Sequence, residues 1–445
     1  MNMSILSTYE ESHTGSRKKY EEAKNIFPSG VTHDNRYATP FPLYMTHGMG
    51  SRKWDVDGNE YIDYVCGHGA LILGHSHPEI VEVVNNQMAL GTHLGACTDQ
   101  ELEWGSYVKA LVPSVERIRF HSSGTEATMM AMRLARAYTG KNVVIKLQDH
   151  FHGWHDYAIS DSAGPSSGVP EAAWGSTKVL PAGDLDAIES FLEINDDVAA
   201  IILEPTGAHY GQLMFDVLPY LKGIRELTIK HGVVFIMDEV VTGFRASAGG
   251  AQQKYGITPD LTTFAKIIAG SLPGGAVGGK AEIVDMISHT GEFVREQSDR
   301  VAHPGTFNAN PLSAVAGIKC LEIISRGEVN NIANDLGIRL RNGLNDVFSS
   351  LEISGHSYGI GSMVHVVLHD CDCDREICVG DHSRIKRTIS EEKTIHLKRS
   401  LQNHGVDIMG RNAFLVSAVH TQQDINSTVD AFEASLRECR NENLV

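Results

Sequence analysis

Two side chains in this sequence have the types and the spacing to do chemistry together. Lys266 follows Asp238 by 28 positions, and each closes a short apolar run of β character, VVFIMD for the acid and LTTFAK for the amine. In a chain that alternates strands with helices, both would project from the same rim of a parallel sheet, the rim where ligands bind. A primary amine there can hold an aldehyde as a Schiff base, and a carboxylate can keep a pyridine nitrogen protonated. The pair alone also admits a plainer reading, in which the Asp caps a helix and the Lys is a solvated surface charge.

Four other segments supply parts of a site. In HSSGTEATMMAMRLARAYTG, His121 to Gly140, Ser123 and Glu126 have capping-box spacing and Gly140 suits a helix C-terminus. Such a helix start aims the amides of Gly124 and Thr125, with the positive end of the dipole, at an anion. HFHGWHD, His150 to Asp156, follows the run VVIKL and can lay Phe151 flat against a planar ring, with Trp154 and His155 as wall. EPTGAHYG, Glu204 to Gly211, leaves the run AAIILE and aims Glu204 or His209 inward. A buried carboxylate such as Glu204 is either a functional group or half of an ion pair. HPGTFNANP, His303 to Pro311, offers the amide of Gly305 and the hydroxyl of Thr306 to a phosphate.

The elements that must position these groups are legible in the periodicity. After a predicted helix at Gly15 to Ile26, SRKWDVDGNEYIDYV reads as a hairpin turning at Asp57 and Gly58. From about Pro78, helical patterns alternate with β-branched runs at 117–121, 143–147, 199–204, 233–238 and 261–266. That alternation predicts an α/β fold, with a mostly parallel sheet covered by helices. Helices are expected at Ala314 to Ser325, Asn331 to Leu344 and Thr428 to Glu438, with a strand at 362–368. The organisation expected is an N-terminal segment at 1–77, a large domain at 78–313 and a C-terminal part at 314–445. Both chain ends together would build a smaller α+β domain.

Composition bounds the partners. With 445 residues, 42% hydrophobic and 21% charged, the chain has the balance of a soluble globular protein. A net charge of -17 argues against nucleic acid and anionic membrane surfaces, so an anionic ligand needs a local site. No run approaches the roughly 20 apolar residues of a membrane span. MNMSILSTYEESHTGSRKKYEE lacks the pattern of a secretory signal, so the expected location is cytoplasmic. Seven cysteines, odd in number and scattered, fit reduced thiols. The cluster Cys371, Cys373, Cys378 in HDCDCDREIC lacks the spacing of a structural zinc site, and no metal is expected.

Taken in order, SSGTEATMMAMRLARAYTG, FHGWHD, EPTGA, MDEVVTGFR, PDLTTFAKIIAGSLPGG and GTFNANP resemble the class III, fold-type I pyridoxal-phosphate aminotransferases. The similarity runs from about Phe27 to Pro311 and more weakly to the C-terminus. DVDGNEYIDYV and LILGHSHPEI add to it, and the subgroup most similar is that of glutamate-1-semialdehyde aminomutase, including D-phenylglycine-type aminotransferases.

The resemblance implies pyridoxal 5'-phosphate held as a Schiff base on Lys266, with Asp238 on the pyridinium nitrogen. It implies Ser123, Gly124 and Thr125 at the phosphate, and Phe151 stacked on the ring where the family often has Tyr. Glu204 and His209 would lie beside the cofactor. Thr306 would reach the phosphate of the neighbouring subunit in a homodimer. It further implies Arg36 as a clamp on a substrate carboxylate, with His68 on the substrate side. His209 stands where aminomutases commonly have Asn, and His68, in CGHG, stands where they have Trp. On those two departures the expected activity is an aminotransferase moving an amino group between an amino acid and an oxo acid. The alternatives are an isomerase, either glutamate-1-semialdehyde 2,1-aminomutase or an amino-acid racemase, and a cofactor-binding protein without turnover.

Overall fold

A computed structural model describes residues 4–161, 164–207, 216–291, 299–369 and 390–445. In chain order its strands begin with β1 (Met45–Met49), β2 (Arg52–Asp55), β3 (Glu60–Asp63), β4 (Arg117–His121), β5 (Val143–Leu147), β6 (Thr177–Leu180) and β7 (Val198–Leu203). They continue with β8 (Val234–Asp238), β9 (Leu261–Ala265), β10 (Gly275–Gly279), β11 (His356–Ile360), β12 (Met363–Val367), β13 (Val406–Asp407) and β14 (Ala413–Leu415). Contacts divide the chain into two compact units, 78–330 and 1–77 with 331–445.

The unit 78–330 holds a seven-stranded sheet in the order β4-β10-β9-β8-β7-β5-β6. Strands β5 to β9 pair in parallel, while β10 runs antiparallel to both β4 and β9. Because β4 and β9 both oppose β10, β4 runs with β9. The C-terminal ends of β4, β5, β7, β8 and β9 therefore share one rim. Every residue of β7, β8 and β9 is buried, as expected of central parallel strands covered on both faces.

Alternation along these strands sets which side chains face the helix Gly124–Thr139. Ala200 and Ile202, Val234 and Ile236, and Leu261 join Met130, Ala131 and Leu134 in one core. Asp238 continues the face of Val234 and Ile236, so its carboxyl arrives at the rim above that helix. Just past the end of β9, the turn Lys266–Ala269 is pinned from behind by Trp104, which is fully buried. Its indole N–H donates to the Ile268 carbonyl at 2.9 Å, and its ring stacks on Phe120 at 3.9 Å. Trp104→Phe should leave that carbonyl unpaired and cost roughly 1–3 kcal/mol. Urea unfolding of the variant checks this, and an unchanged midpoint and slope would contradict it.

The unit 1–77 with 331–445 is built on smaller sheets, β1-β2-β3-β13 and β11-β12-β14. Its core joins Tyr64, Leu340, Leu344, Phe348, Val364, Leu397, Phe414 and Phe432. Strands β2 and β3 form the expected hairpin, but residues 56–59 connect them, and Asp55 Oδ1 accepts the amides of Asp57 and Asn59. The N-terminal helix is divided into Ile5–Ser12 and Thr14–Ala23, with His13 at the junction.

Candidate active site

The site is assembled at the rim where β4, β5, β7, β8 and β9 end. After β4, Ser123 caps the helix Gly124–Thr139, its Oγ accepting the Glu126 amide at 3.2 Å, and Gly140 closes the helix in the left-handed region at φ 69°. The capping box is half formed, because the Glu126 carboxylate accepts the amide of Ser122, at 2.6 Å, where the spacing alone predicts that of Ser123. The first amides of the helix have no acceptor within it and are available to an anion.

Glycine at 124 allows close packing. A Cβ there would lie 3.1 Å from Val240 and 3.3 Å from Ala265. The helix start is thus set against the residues just after Asp238 and just before Lys266. Gly153, at φ 95°, has no room either, since its Cβ would fall 2.7 Å from Thr125 Oγ1. Gly153→Ala should therefore cost roughly 1–3 kcal/mol and displace Thr125, and with it lower affinity for pyridoxal phosphate, whose phosphate the family resemblance assigns to this helix start. Equilibrium dialysis against cofactor checks the second effect, and wild-type affinity in a destabilised variant would contradict it.

Phe151 leaves β5 with its amide donating to Glu204 Oε1 at 2.9 Å, while the Glu204 amide donates to His150 Nδ1 at 2.9 Å. Glu204, buried at the end of β7, thus fixes the backbone that carries the ring of Phe151.

The Asp238 carboxylate is held on both oxygens. Oδ1 accepts the Thr263 hydroxyl at 2.9 Å and the Val240 amide at 3.1 Å, and Oδ2 accepts His152 Nδ1–H at 2.6 Å. His152 is buried, and the spacing of FHGWHD gives no sign of this pairing, because the partner lies 86 positions away.

Lys266 opens its turn at φ 58°, a left-handed conformation that costs a non-glycine residue about 1 kcal/mol. Burial lowers its amine below the ordinary lysine range, the charges of Asp238 and Glu204 oppose that shift, and Arg245 adds to it. A lowered amine is more often the neutral nucleophile. Arg245, fully buried, is a further charge at this rim that no spacing in the sequence singled out.

Thr306 is exposed on the segment before the helix Pro311–Ser325, its carbonyl accepting from His93 Nε2 at 2.6 Å. Trp154, expected as wall, is 75% exposed. Arg36 and His68 belong to the other unit, where Arg36 Nη1 donates to Thr32 Oγ1 at 2.9 Å and His68 stacks on His33. His209 and the Cys371 to Cys378 segment lie outside the described residues. No helix among the described residues is long and apolar enough to cross a membrane.

A family model for class III aminotransferases matches residues 33–382. The chain is 38% identical, over 94% of its own length and 96% of the relative's, to glutamate-1-semialdehyde 2,1-aminomutase 2 of Brevibacillus brevis. It is 40% identical to the glutamate-1-semialdehyde 2,1-aminomutase of Methanothrix thermoacetophila, over 79% of its own length and 81% of that protein's. Among solved structures, an omega-transaminase from Sphaerobacter thermophilus superposes with a TM-score of 0.87 at 31% identity, covering 97% of this chain and 99% of that one.

Proposed function

The chain belongs to the class III aminotransferase family, and on that premise we propose that it is a glutamate-1-semialdehyde 2,1-aminomutase. The reaction exchanges the amino and oxo groups of neighbouring carbons and yields 5-aminolevulinate. What carries this reading is identity of 36–40% to glutamate-1-semialdehyde 2,1-aminomutases, over most of the chain. The expectation of transamination between an amino acid and an oxo acid is corrected on that ground. It rested on His68 and His209, two positions weighed against the whole length. The motifs that carry the family resemblance serve the cofactor, which both activities share, and so could not separate them.

Pyridoxal 5'-phosphate is the cofactor, supplying an aldehyde for an amine to attack and a ring that takes up the electron pair of a broken C–H bond. The set of groups at the rim fits it: amides at a helix start for the phosphate, a carboxylate held by three donors for the ring nitrogen and a lysine with a lowered amine for the aldehyde. In this reading Lys266 also carries the proton between the substrate's two carbons. Asp238, oriented by His152 and Thr263, holds the ring nitrogen protonated. Phe151, set by Glu204, covers one ring face. Ser123, Gly124 and Thr125 bind the phosphate. Thr306 serves the phosphate of a neighbouring copy in a homodimer, and Arg36 binds the substrate carboxylate.

A direct competition tests the choice of reaction. The pyridoxamine form of the enzyme, offered glutamate-1-semialdehyde or a panel of simple oxo acids, should turn over the semialdehyde at least about tenfold faster. Equal or faster amination of the oxo acids would overturn the aminomutase reading.

A further inference from the structure

The segment HPGTFNANP is anchored at both ends and exposed between them. Just before it, Val301 is buried and its amide donates to the Met286 carbonyl at 2.8 Å. Toward its end Asn310 caps the helix Pro311–Ser325, its Oδ1 accepting the Ser313 amide at 3.0 Å. Pro304, Gly305, Thr306 and Phe307 are all exposed. Two turns shape the stretch, the Asn308 amide donating to the Gly305 carbonyl at 3.3 Å and the Asn310 amide to the Phe307 carbonyl at 3.2 Å. An exposed segment with so few backbone bonds keeps one conformation only where side chains tie it to the fold.

The tie comes from β4, the edge strand of its sheet. Arg119 and His121 stand two residues apart on that strand and so share a face. Arg119 Nε–H donates to His303 Nδ1 at 2.9 Å, and the buried ring of His121 packs against that of His303 with centroids 4.3 Å apart. Accepting at Nδ1 places the proton of the His303 ring on Nε2. A protonated ring would set an N–H against the guanidinium N–H and bring two positive charges together, so the contact requires the neutral imidazole. Burial first, then the charges of Arg119 and Arg133, bring His303 down to about 4, which keeps it neutral at physiological pH. His303 lies three residues before Thr306, whose carbonyl is held in turn by His93.

We propose that His303 is a positioning residue: bound to Arg119, it fixes the loop so that the Thr306 hydroxyl meets the cofactor's phosphate. The inference rests on the reading of Thr306 as a phosphate ligand. His303 acts through Thr306, and its loss weakens only what the phosphate contributes to cofactor binding.

The full chain, stripped of cofactor and titrated separately with pyridoxal 5'-phosphate and with pyridoxal, tests this, because the two ligands differ only in the phosphate. His303→Phe keeps a ring against His121 and removes the acceptor. It should weaken pyridoxal 5'-phosphate about tenfold, the worth of one hydrogen bond to a charged group, and leave pyridoxal unchanged. His303→Asn, whose amide oxygen can accept the Arg119 N–H, should recover most of the loss. Arg119→Met should show the same selective loss, and the double variant should lose no more than either single one. Additive losses would overturn the tie between the two residues. Should His303→Phe fail to fold, Arg119→Met on the exposed strand edge makes the same comparison. If these variants weaken both ligands equally or neither, while Thr306→Val weakens pyridoxal 5'-phosphate alone, the inference is wrong and the reading of Thr306 stands. If Thr306→Val is not selective either, that reading falls, and the role of His303 with it.

Discussion

Lys266→Ala will lower turnover by about a thousandfold or more while leaving the fold intact. A positioned acid or base contributes roughly 10²–10⁴, and here one amine must also hold the cofactor's aldehyde. The fold is spared because the cost at residue 266 lies in its left-handed backbone, which Ala adopts no less readily than Lys. The variant should bind pyridoxal phosphate without a covalent link. Borohydride followed by peptide mass should mark Lys266 in the wild type and no residue in the variant. Cofactor attached to a different lysine in the wild type would end the account of this site.

Asp238→Asn carries the second largest effect. The amide keeps the size of the carboxylate and can still accept from Thr263 and Val240, which contact Oδ1. It loses the charge that makes a protonated ring nitrogen favourable, and its other terminus is an NH2 that sets a donor against the His152 Nδ1–H, where the carboxylate oxygen accepted at 2.6 Å. Turnover should fall about a hundred- to a thousandfold, the scale of removing one preorganised electrostatic group. KM should change little, because the ring nitrogen is remote from the substrate carboxylate. His152→Phe tests the positioning role separately, and it should lower turnover by a smaller factor with the cofactor retained. Asp238→Asn within about threefold of the wild type would remove the carboxylate from the mechanism.

The architecture was legible where burial imposes a simple pattern. AAIILE and VVFIMD are continuous apolar runs because both of their faces are covered, so they read as central parallel strands. The strand β10 escaped notice because GAVGG has three glycines in five residues and little β propensity of its own. Its glycines answer to neighbours: a Cβ at Gly275 would meet the Ser123 carbonyl at 2.4 Å, and one at Gly279 the Asp260 carbonyl at 2.2 Å. Such close approaches lie between segments far apart in sequence.

The same division holds at the site. Asp238 and Lys266 stood out because each terminates a recognisable strand, and Gly124 because it opens a helix. His152 and Arg245 act through partners that only the folded chain brings near. Glu204 read as a choice between function and ion pair, and the structure shows it holding the backbone of Phe151. Substrate choice was the least legible part. The quoted motifs are the ones the family resemblance assigns to the cofactor, and His68 and His33 meet through a left-handed turn whose run of positive φ shows only in the folded backbone.

The central claim is that this chain moves an amino group between adjacent carbons of one substrate. Purified holoenzyme given glutamate-1-semialdehyde alone, with no other amine or oxo acid, should convert it to 5-aminolevulinate over many turnovers, and Lys266→Ala should not. Absence of 5-aminolevulinate, from an enzyme that carries cofactor on Lys266 and transfers amino groups to added oxo acids, would contradict the claim.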